Sequence, residues 1–176
     1  VSPDAEGTLL SSFSVGTNVR GIDIARDGSF LYVADDTESM NQSFIRKVNP
    51  DTGAVTDLPY NTAGQESGAI DIAVANNGKA YLTTGFAGSG GTTFRSLDLA
   101  TDTFANLTGI TQDSNIEVGA DGSLIFLQQS NTSNGPINVF DVATETFTAG
   151  FGTNANVSSG NGCLLYTSPS PRDNLP

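Results

Sequence analysis

Short apolar runs, separated by turns rich in Gly and Asp, recur along the whole chain. The runs at 31–34 and 125–127 are apolar at consecutive positions, which is typical of strands buried on both faces. Asp27-Gly28, Asn77-Gly78 and Asp121-Gly122 are strong hairpin turns, because Gly adopts positive φ and Asn or Asp tolerates it. Long helical periodicity is absent. The pattern therefore predicts an all-β chain of short antiparallel strands.

Two kinds of segment repeat along the chain at a matching spacing. The first kind contains the turn glycines Gly28, Gly78 and Gly122, which lie 50 and 44 residues apart. The second kind begins 49 and then 43 residues apart and covers 48–55, 97–104 and 140–147. A unit of this length with four short strands is typical of a β-propeller blade. A β-sandwich is the alternative, but it does not explain two segments with a common spacing.

The expected fold is all-β, a β-propeller fragment of about three four-stranded antiparallel blades plus partial blades at both ends. The predicted units are the end of a preceding blade at 1–18, blades at 19–62, 63–110 and 111–152, and the start of a further blade at 153–162. The segment from Cys163 to Asp173 resembles the translation of a transposase sequencing adapter. We therefore expect 163–176 to be a tail that is not native, the alternative being a Pro/Ser-rich linker.

Charge composition limits the classes of partner. The chain has 19 acidic and 7 basic residues, a net charge of −12. Nucleic-acid binding depends on Lys and Arg at phosphates, so this balance argues against nucleic acid and against anionic membrane surfaces. No apolar run approaches the ~20 residues of a membrane span. Few Lys with many Asn, Thr, Ser and Gly are typical of exported bacterial proteins, so we expect an extracellular or cell-envelope location.

Residue types needed for common catalytic sites are missing from the sequence. It contains no His, and its single Cys, Cys163, lies in the suspected tail. A Ser-His-Asp triad, a His metal cluster and a disulfide framework are therefore excluded for this segment. The Gly-rich stretch 85–91 lacks the Gly-Lys-Ser/Thr ending of a phosphate-binding loop. No catalytic residue is predicted, which favours a protein that is not an enzyme.

The long and varied predicted loops fall on one rim of the propeller. We call this the long-loop rim: it holds the connections 35–43, 85–91 and 128–136 and the crossing 60–68. The opposite, short-turn rim holds the uniform hairpin turns. Loops on a rigid scaffold often carry binding residues, so we expect ligand contact at the long-loop rim; tolerated insertions are the alternative. The candidate residues are Asp35, Asp36, Glu38, Asn41, Tyr60, Glu66 and Asp113.

An acid is predicted to occupy one equivalent position in the first strand of each unit, at Asp23, Asp71 and Glu117. Each is flanked by Ile or Val, and buried carboxylates need partners. One interpretation is a ring of carboxylates lining the central channel, whose hard oxygens could bind Ca²⁺. The other is a structural acid that accepts hydrogen bonds from backbone N–H groups of the neighbouring blade, with no cofactor.

The stretch from Asp27 to Asp35, followed by that from Val48 to Val55, resembles the YVTN-type repeat. The resemblance covers about 19–150; the second unit keeps Tyr81-Leu82-Thr83-Thr84, and the third departs at 125–128. It implies a propeller, often seven-bladed, commonly in exported or surface-layer proteins that bind other molecules.

Two functional hypotheses follow from the residues and from this resemblance. The first is a non-catalytic binding or scaffold domain that contacts a protein, glycan or small ligand, beside the remaining blades of its own chain. The second is an enzyme that resembles the metal-dependent propeller lactonases, with Asp23, Asp71 and Glu117 as ligands. Fold alone does not decide between them.

Overall fold

Every regular element in the described part of the chain is a β-strand. The computed structural model describes residues 12–63, 66–85, 93–129 and 136–151. Its strands are β1 (Val19–Ile24), β2 (Leu31–Ser39), β3 (Gln42–Val48), β4 (Val55–Asn61), β5 (Ala69–Val74), β6 (Lys79–Thr84), β7 (Thr93–Asp98), β8 (Thr103–Ile110), β9 (Ser114–Val118), β10 (Leu124–Gln129), β11 (Ile137–Asp141) and β12 (Thr146–Phe151). Over these residues, no helix has the length and hydropathy to cross a bilayer.

The strands form three four-stranded antiparallel sheets in which each strand pairs with its neighbours in sequence. Sheet 1 contains β1–β4, sheet 2 contains β5–β8 and sheet 3 contains β9–β12. The first strands β1, β5 and β9 also lie against one another from sheet to sheet. This is the arrangement of consecutive β-propeller blades, and it confirms the predicted fold class.

The hairpin turns predicted from Asp-Gly and Asn-Gly join the first and second strands of each sheet. Gly28, Gly78 and Gly122 have φ values of 74°, 78° and 76°, which an L side chain adopts only with strain. In the first of these turns Asp27 Oδ1 accepts hydrogen bonds from Ser29 N and Ser29 Oγ at 2.9 and 2.6 Å. Local side-chain bonding therefore adds to the glycine in defining the turn.

Apolar side chains fill the two seams between the sheets. Sheet 2 contributes Ile72 and Leu82 to the seam with sheet 1 and, from alternate positions, Ala73 and Tyr81 to the seam with sheet 3. Successive side chains of a strand point to opposite faces, so a strand covered on both sides must be apolar throughout. The second seam also holds a cluster of rings, with Phe94 and Phe140 centroids 5.0 Å apart.

One face of sheet 1 stays open over the described residues. Ile22 and Ile24 of β1 are 59% and 42% exposed, whereas Ile72 and Val74, which take the same positions in β5, are 2% and 4% exposed. The difference follows from packing, since sheet 1 covers the β5 residues.

The predicted terminal units mostly fall outside the described residues. The unit predicted at 1–18 is described only from residue 12 onwards, and 12–18 contains no strand. The further blade predicted at 153–162 and the tail predicted at 163–176 lie outside the described residues.

Candidate functional site

The long-loop rim carries a projecting β-hairpin where a loop was expected at 35–43. β2 continues to Ser39 and β3 begins at Gln42, so Met40 and Asn41 alone form the turn. Both have positive φ, 55° and 62°, as tight hairpin turns require. Glycine is absent from this turn, and the sequence pattern therefore did not reveal it. Met40, at the tip, is 96% exposed.

Asp35 lies beneath this hairpin and is buried. Its Oδ2 accepts hydrogen bonds from Arg46 Nε and Nη2 at 3.0 and 2.9 Å, and its Oδ1 accepts from Thr37 N and Oγ1 at 3.0 and 2.6 Å. Burial by itself would raise the pKa of Asp35, but the hydrogen bonds from Thr37 and Arg46 outweigh it and hold the pKa below its usual value. This carboxylate therefore braces the base of the hairpin.

A second buried ion pair lies at the crossing from sheet 1 to sheet 2. Arg95 binds both carboxylate oxygens of Glu66, with Nη1–Oε1 at 2.5 Å and Nη2–Oε2 at 2.6 Å, and the two side chains are 2% and 1% exposed. Thr84 also donates to Glu66. The guanidinium carbon of Arg95 lies 5.0 Å from the centre of the Tyr60 ring.

Burial opposes ionisation of Glu66, but the bond from Arg95, with those from Thr84 and Ala63 N, lowers its pKa overall. Glu66 and Tyr60 are both buried and lie beneath the exposed residues of the long-loop rim.

The other predicted rim residues differ in accessibility. Asp36 is mostly covered and accepts hydrogen bonds from Arg20 at 2.9 Å and Ser67 at 3.1 Å. Glu38 is exposed and accepts from Asn41 N at 2.7 Å, while Asn41 is exposed at the hairpin tip. Asp113 is half-buried, with φ 48°. The structure thus brings Asp36, Glu38 and Asn41 to one hairpin. Asp113 lies on the connection between β8 and β9, where its N–H donates to Thr84 O at 3.0 Å.

The sequence analysis did not single out the two arginines, Arg46 and Arg95, that form ion pairs with the buried acids of this rim. Arg46 pairs across the sheet with Val33, and Arg95 pairs with Leu82, so they hold equivalent positions in β3 and β7. Aligning 44–48 with 93–97 would have shown the shared Arg. Sheet 3 has the uncharged Asn138 at this position, opposite Leu127.

Asp23 and Asp71 join successive sheets near the propeller axis. Asp23 accepts hydrogen bonds from Ile24 N at 2.7 Å and, across the seam, from Val74 N at 2.7 Å. Asp71 repeats the pattern with Ile72 N at 2.9 Å and Ile116 N at 2.8 Å. These are the contacts of a structural acid bonded to the neighbouring blade. All four carboxylate oxygens already accept a backbone N–H, so a cation would have to share or displace these bonds.

The three acids are not at one equivalent position. Asp23 and Glu117 lie five residues before Gly28 and Gly122, but Asp71 lies seven before Gly78. The strand pairing agrees: Asp23 faces Tyr32 and Glu117 faces Phe126, whereas Tyr81 faces Ala73. A shift of two residues keeps a side chain on the same face of a strand. The side chain of Asp71 therefore still points to the seam between sheets 2 and 3. It lies two residues nearer the start of β5 than Ala73, the position equivalent to Asp23.

The close approach of β1 to β5 depends on Gly21. A Cβ at Gly21 would lie 2.8 Å from the Cα of Asp71, too close for any side chain without displacing β5. Burial, followed by the charges of Glu117 and Asp23, raises the pKa of Asp71 to about 6 against the two N–H bonds that lower it. Burial likewise raises the pKa of Asp23.

Three or more acidic, His or Cys side chains arranged to hold a metal ion are not found among the residues that the structure describes. Glu117 is half-buried on β9, and its charge acts on Asp71. The Ca²⁺ interpretation of Asp23, Asp71 and Glu117 stays a prediction.

Arg95→Met should lower the free energy of unfolding by about 3–5 kcal/mol, because Glu66 would be left buried without its cation. Adding Glu66→Gln should recover part of this loss, since the uncompensated charge is then removed. Urea unfolding of the wild type and both variants measures the difference. A loss below ~1 kcal/mol in the single variant, as for an exposed pair, would contradict the buried pairing.

Asp71→Asn should change the pH dependence of stability. The pKa of Asp71 is about 6 in the folded state against 3.8 as the ordinary value, so between these values the folded chain holds a proton that the unfolded chain has released. Stability from this group is therefore present at acid pH and falls by about 2–3 kcal/mol as pH rises from about 4 to 6.

Urea unfolding at several pH values should show this fall in the wild type relative to Asp71→Asn. The control, Asp51→Asn, changes an exposed turn residue and should keep the wild-type profile. Parallel profiles of the wild type and Asp71→Asn would contradict the expectation.

Comparison with known proteins identifies proteins of similar fold but no family to which this chain belongs. No protein-family model matches the chain, and no curated protein sequence matches it. The solved structures that it resembles are β-propeller proteins.

Three of these structures illustrate the similarity. The first is an auxiliary nutrient binding protein from Bacteroides thetaiotaomicron, with TM-score 0.57 and 16% identity, covering 85% of this chain and 35% of that one. The second, from a nidogen/laminin complex, has TM-score 0.59 and 14% identity, covering 81% and 50%. The third, a 6-phosphogluconolactonase-like protein from Bacteroides uniformis, has TM-score 0.54 and 15% identity, covering 83% and 47%. The chain thus spans half or less of each of these proteins, and the similarity shows the fold alone.

Proposed function

We propose that this chain is the non-catalytic binding part of an exported or cell-surface bacterial propeller protein, and that it contacts a protein partner through the long-loop rim. The observation that carries the proposal is the hairpin tip. Met40 is 96% exposed and has φ 55°, a conformation that costs roughly 1–2 kcal/mol for a residue other than Gly. Its thioether adds nothing to the core, and flexible Met side chains adapt well to protein surfaces.

The rim below the hairpin is suited to holding this contact in place. The Asp35–Arg46 ion pair, at 2.9 Å, lies at the base of the hairpin, and Arg95 with Glu66 fixes the adjacent crossing. A binding group is most effective when buried neighbours hold its support rigid. Exposed Glu38 beside the tip adds a charge that favours a partner with a complementary basic group.

Composition and relatives support the wider setting. The resemblance of 27–35 and 48–55 to the YVTN-type repeat favours an exported protein, as does the net charge of −12 with few Lys. Among proteins of similar fold, one is described as nutrient binding and another lies in a nidogen/laminin complex. Both descriptions concern propellers that bind other molecules, which supports a binding role for this chain.

The open face of sheet 1 supports the proposal that further blades of the same protein complete the ring. Ile22 and Ile24 match Ile72 and Val74 in position but are 59% and 42% exposed. A sheet like those described would bury them.

A peptide library displayed on phage and selected on the wild-type chain tests the rim. We expect most selected peptides to lose about tenfold or more in affinity for Met40→Asp, as at a binding hot spot. Glu38→Lys should also weaken them. Asp51→Lys makes the same charge change on the short-turn rim and should leave them bound. Peptides that bind all three variants equally would refute the rim as the binding surface.

A metal-dependent enzyme that resembles the lactonases is the second candidate. It is favoured by the 6-phosphogluconolactonase-like relative of similar fold and by the charges of Glu117 and Asp23 acting on Asp71. Under this alternative, Ca²⁺ should raise the melting temperature of the wild type but not that of Asp71→Asn, because binding stabilises the folded state. Asp51→Asn should respond like the wild type. No response to Ca²⁺ in the wild type rejects the alternative for this chain.

A further inference from the structure

A cavity of about 430 Å³ lies at the outer edge of the seam between sheets 1 and 2, between the strands β4 and β8. Its wall includes Tyr60, Asn61, Arg95, Asp102, Phe104 and Asn106. The volume falls within the range of small-molecule sites, in which a few polar groups orient the ligand. The exposed hairpin residues Glu38 and Met40 are not part of this wall.

One hydrogen-bond donor of the buried Arg95 is unused at this cavity. The Nη atoms of Arg95 bind both oxygens of Glu66 and also donate to Thr93 O and Asn61 O, at 3.0 and 3.2 Å. A guanidinium has five N–H groups, and these bonds account for the four on Nη1 and Nη2. The fifth, on Nε, has no acceptor among the residues that the structure describes.

The Nε–H of Arg95 is open to the cavity, although the residue as a whole is only 1% exposed. In the described ranges, the fully buried polar side-chain atoms that lack a partner are the hydroxyls of Tyr60 and Thr111. Nε of Arg95 is not one of them, so a small molecule in the cavity can reach it. An unpaired donor in a largely buried group is costly, and a ligand acceptor would satisfy it.

An amide and an aromatic ring lie beside this donor. Asn106 is directly opposite Arg95 in the pairing of β7 with β8, so the Cβ atoms of the two side chains are about 5 Å apart on one face. Phe104, two residues before Asn106, shares that face, and its ring centre lies 5.2 Å from that of Tyr60 in sheet 1. Asn106 is exposed and Phe104 is half-buried, so both can contact a ligand.

The charges in the cavity wall are already paired. Glu66 balances the charge of Arg95, and the carboxylate of Asp102 binds Lys47 Nζ at 2.8 and 3.0 Å. A charged ligand would lose its hydration here without gaining an unpaired counter-ion. The cavity therefore favours a ligand that is polar but uncharged.

We propose that this cavity binds a neutral saccharide, one hydroxyl of which accepts a hydrogen bond from Arg95 Nε–H. The carboxamide of Asn106 both donates and accepts hydrogen bonds, as a hydroxyl does, and it pairs with a second hydroxyl of the same sugar. The apolar C–H face of the sugar ring lies against the ring of Phe104. The cavity has room for one or two sugar units.

NMR titration of the full chain tests the proposal. The probes are the neutral methyl glycosides of the common hexoses, with glucuronate and glucosamine as charged counterparts and N-acetylalanine methylamide as an uncharged molecule without hydroxyls. We expect at least one neutral glycoside to give saturable shifts of the Asn106 side-chain amide and Arg95 Nε–H signals. The Nε–H of Arg46 is the internal control and should not shift, because it already donates to Asp35 at 3.0 Å.

Two changes at the exposed Asn106 locate the site. Asn106→Ala removes only the carboxamide and should weaken binding about five- to tenfold, since one hydrogen bond is lost. Asn106→Trp should occupy the cavity and abolish the shift of Arg95 Nε–H. The control, Gln42→Ala, removes an exposed carboxamide of β3 outside the cavity wall and should bind like the wild type. Backbone amide spectra show whether each variant is folded.

Absence of saturable shifts with every neutral glycoside overturns the proposal. Equal binding of the charged sugars or of the amide without hydroxyls also overturns it, as does equal binding by the wild type and both Asn106 variants. Peptides that require Met40 should still bind Asn106→Trp, so a failure of the saccharide site is distinguishable from a failure of the protein-binding rim.

Discussion

The first strand of each sheet has one edge without a strand partner, and its backbone N–H groups must still be satisfied. In this chain a carboxylate from the preceding sheet meets that need: Asp23 binds Val74 N and Asp71 binds Ile116 N. Buried donors without partners are costly, so these contacts accompany the apolar packing at every described seam. They also place charges close together, because each acid lies near the next one around the axis.

The seams in turn decide where side chains remain available to a ligand. On the long-loop rim, Arg46 and Arg95 form ion pairs with the buried acids Asp35 and Glu66. These ion pairs therefore stabilise the fold, and neither pair leaves a charge available to a ligand. Among the rim residues that the structure describes, the hairpin that ends in Met40 remains accessible. A rim that is acidic in sequence is therefore, at its base, a set of closed ion pairs.

On the short-turn rim, the two described seams differ in the side chains at equivalent turn positions, among them Glu145 in sheet 3 and Asp102 in sheet 2. Glu145 reaches Tyr81, whereas Asp102 stops at Lys47. Repeats share a backbone, so such differences between turns leave the fold intact while the side-chain contacts at each seam change. Divergence among repeats is how a uniform scaffold acquires a particular site.

The sequence by itself determined the all-β class, the four-stranded unit and the Asp-Gly and Asn-Gly turns, because these depend on local conformational preference and on alternation along a strand. It also indicated the acids of the first strand and both of their interpretations. It misjudged the equivalence of Asp71, since a two-residue shift preserves the facing of a strand and leaves the Ile-Asp-Ile pattern unchanged.

Only the tertiary structure decided which polar side chains already have ion-pair or hydrogen-bond partners within the protein. Asp35 and Glu66 look like surface loop residues in the sequence, yet each is buried in an ion pair with an arginine from another strand. Burial and hydrogen bonding between distant residues arise from the packing of sheets, and no local pattern encodes them.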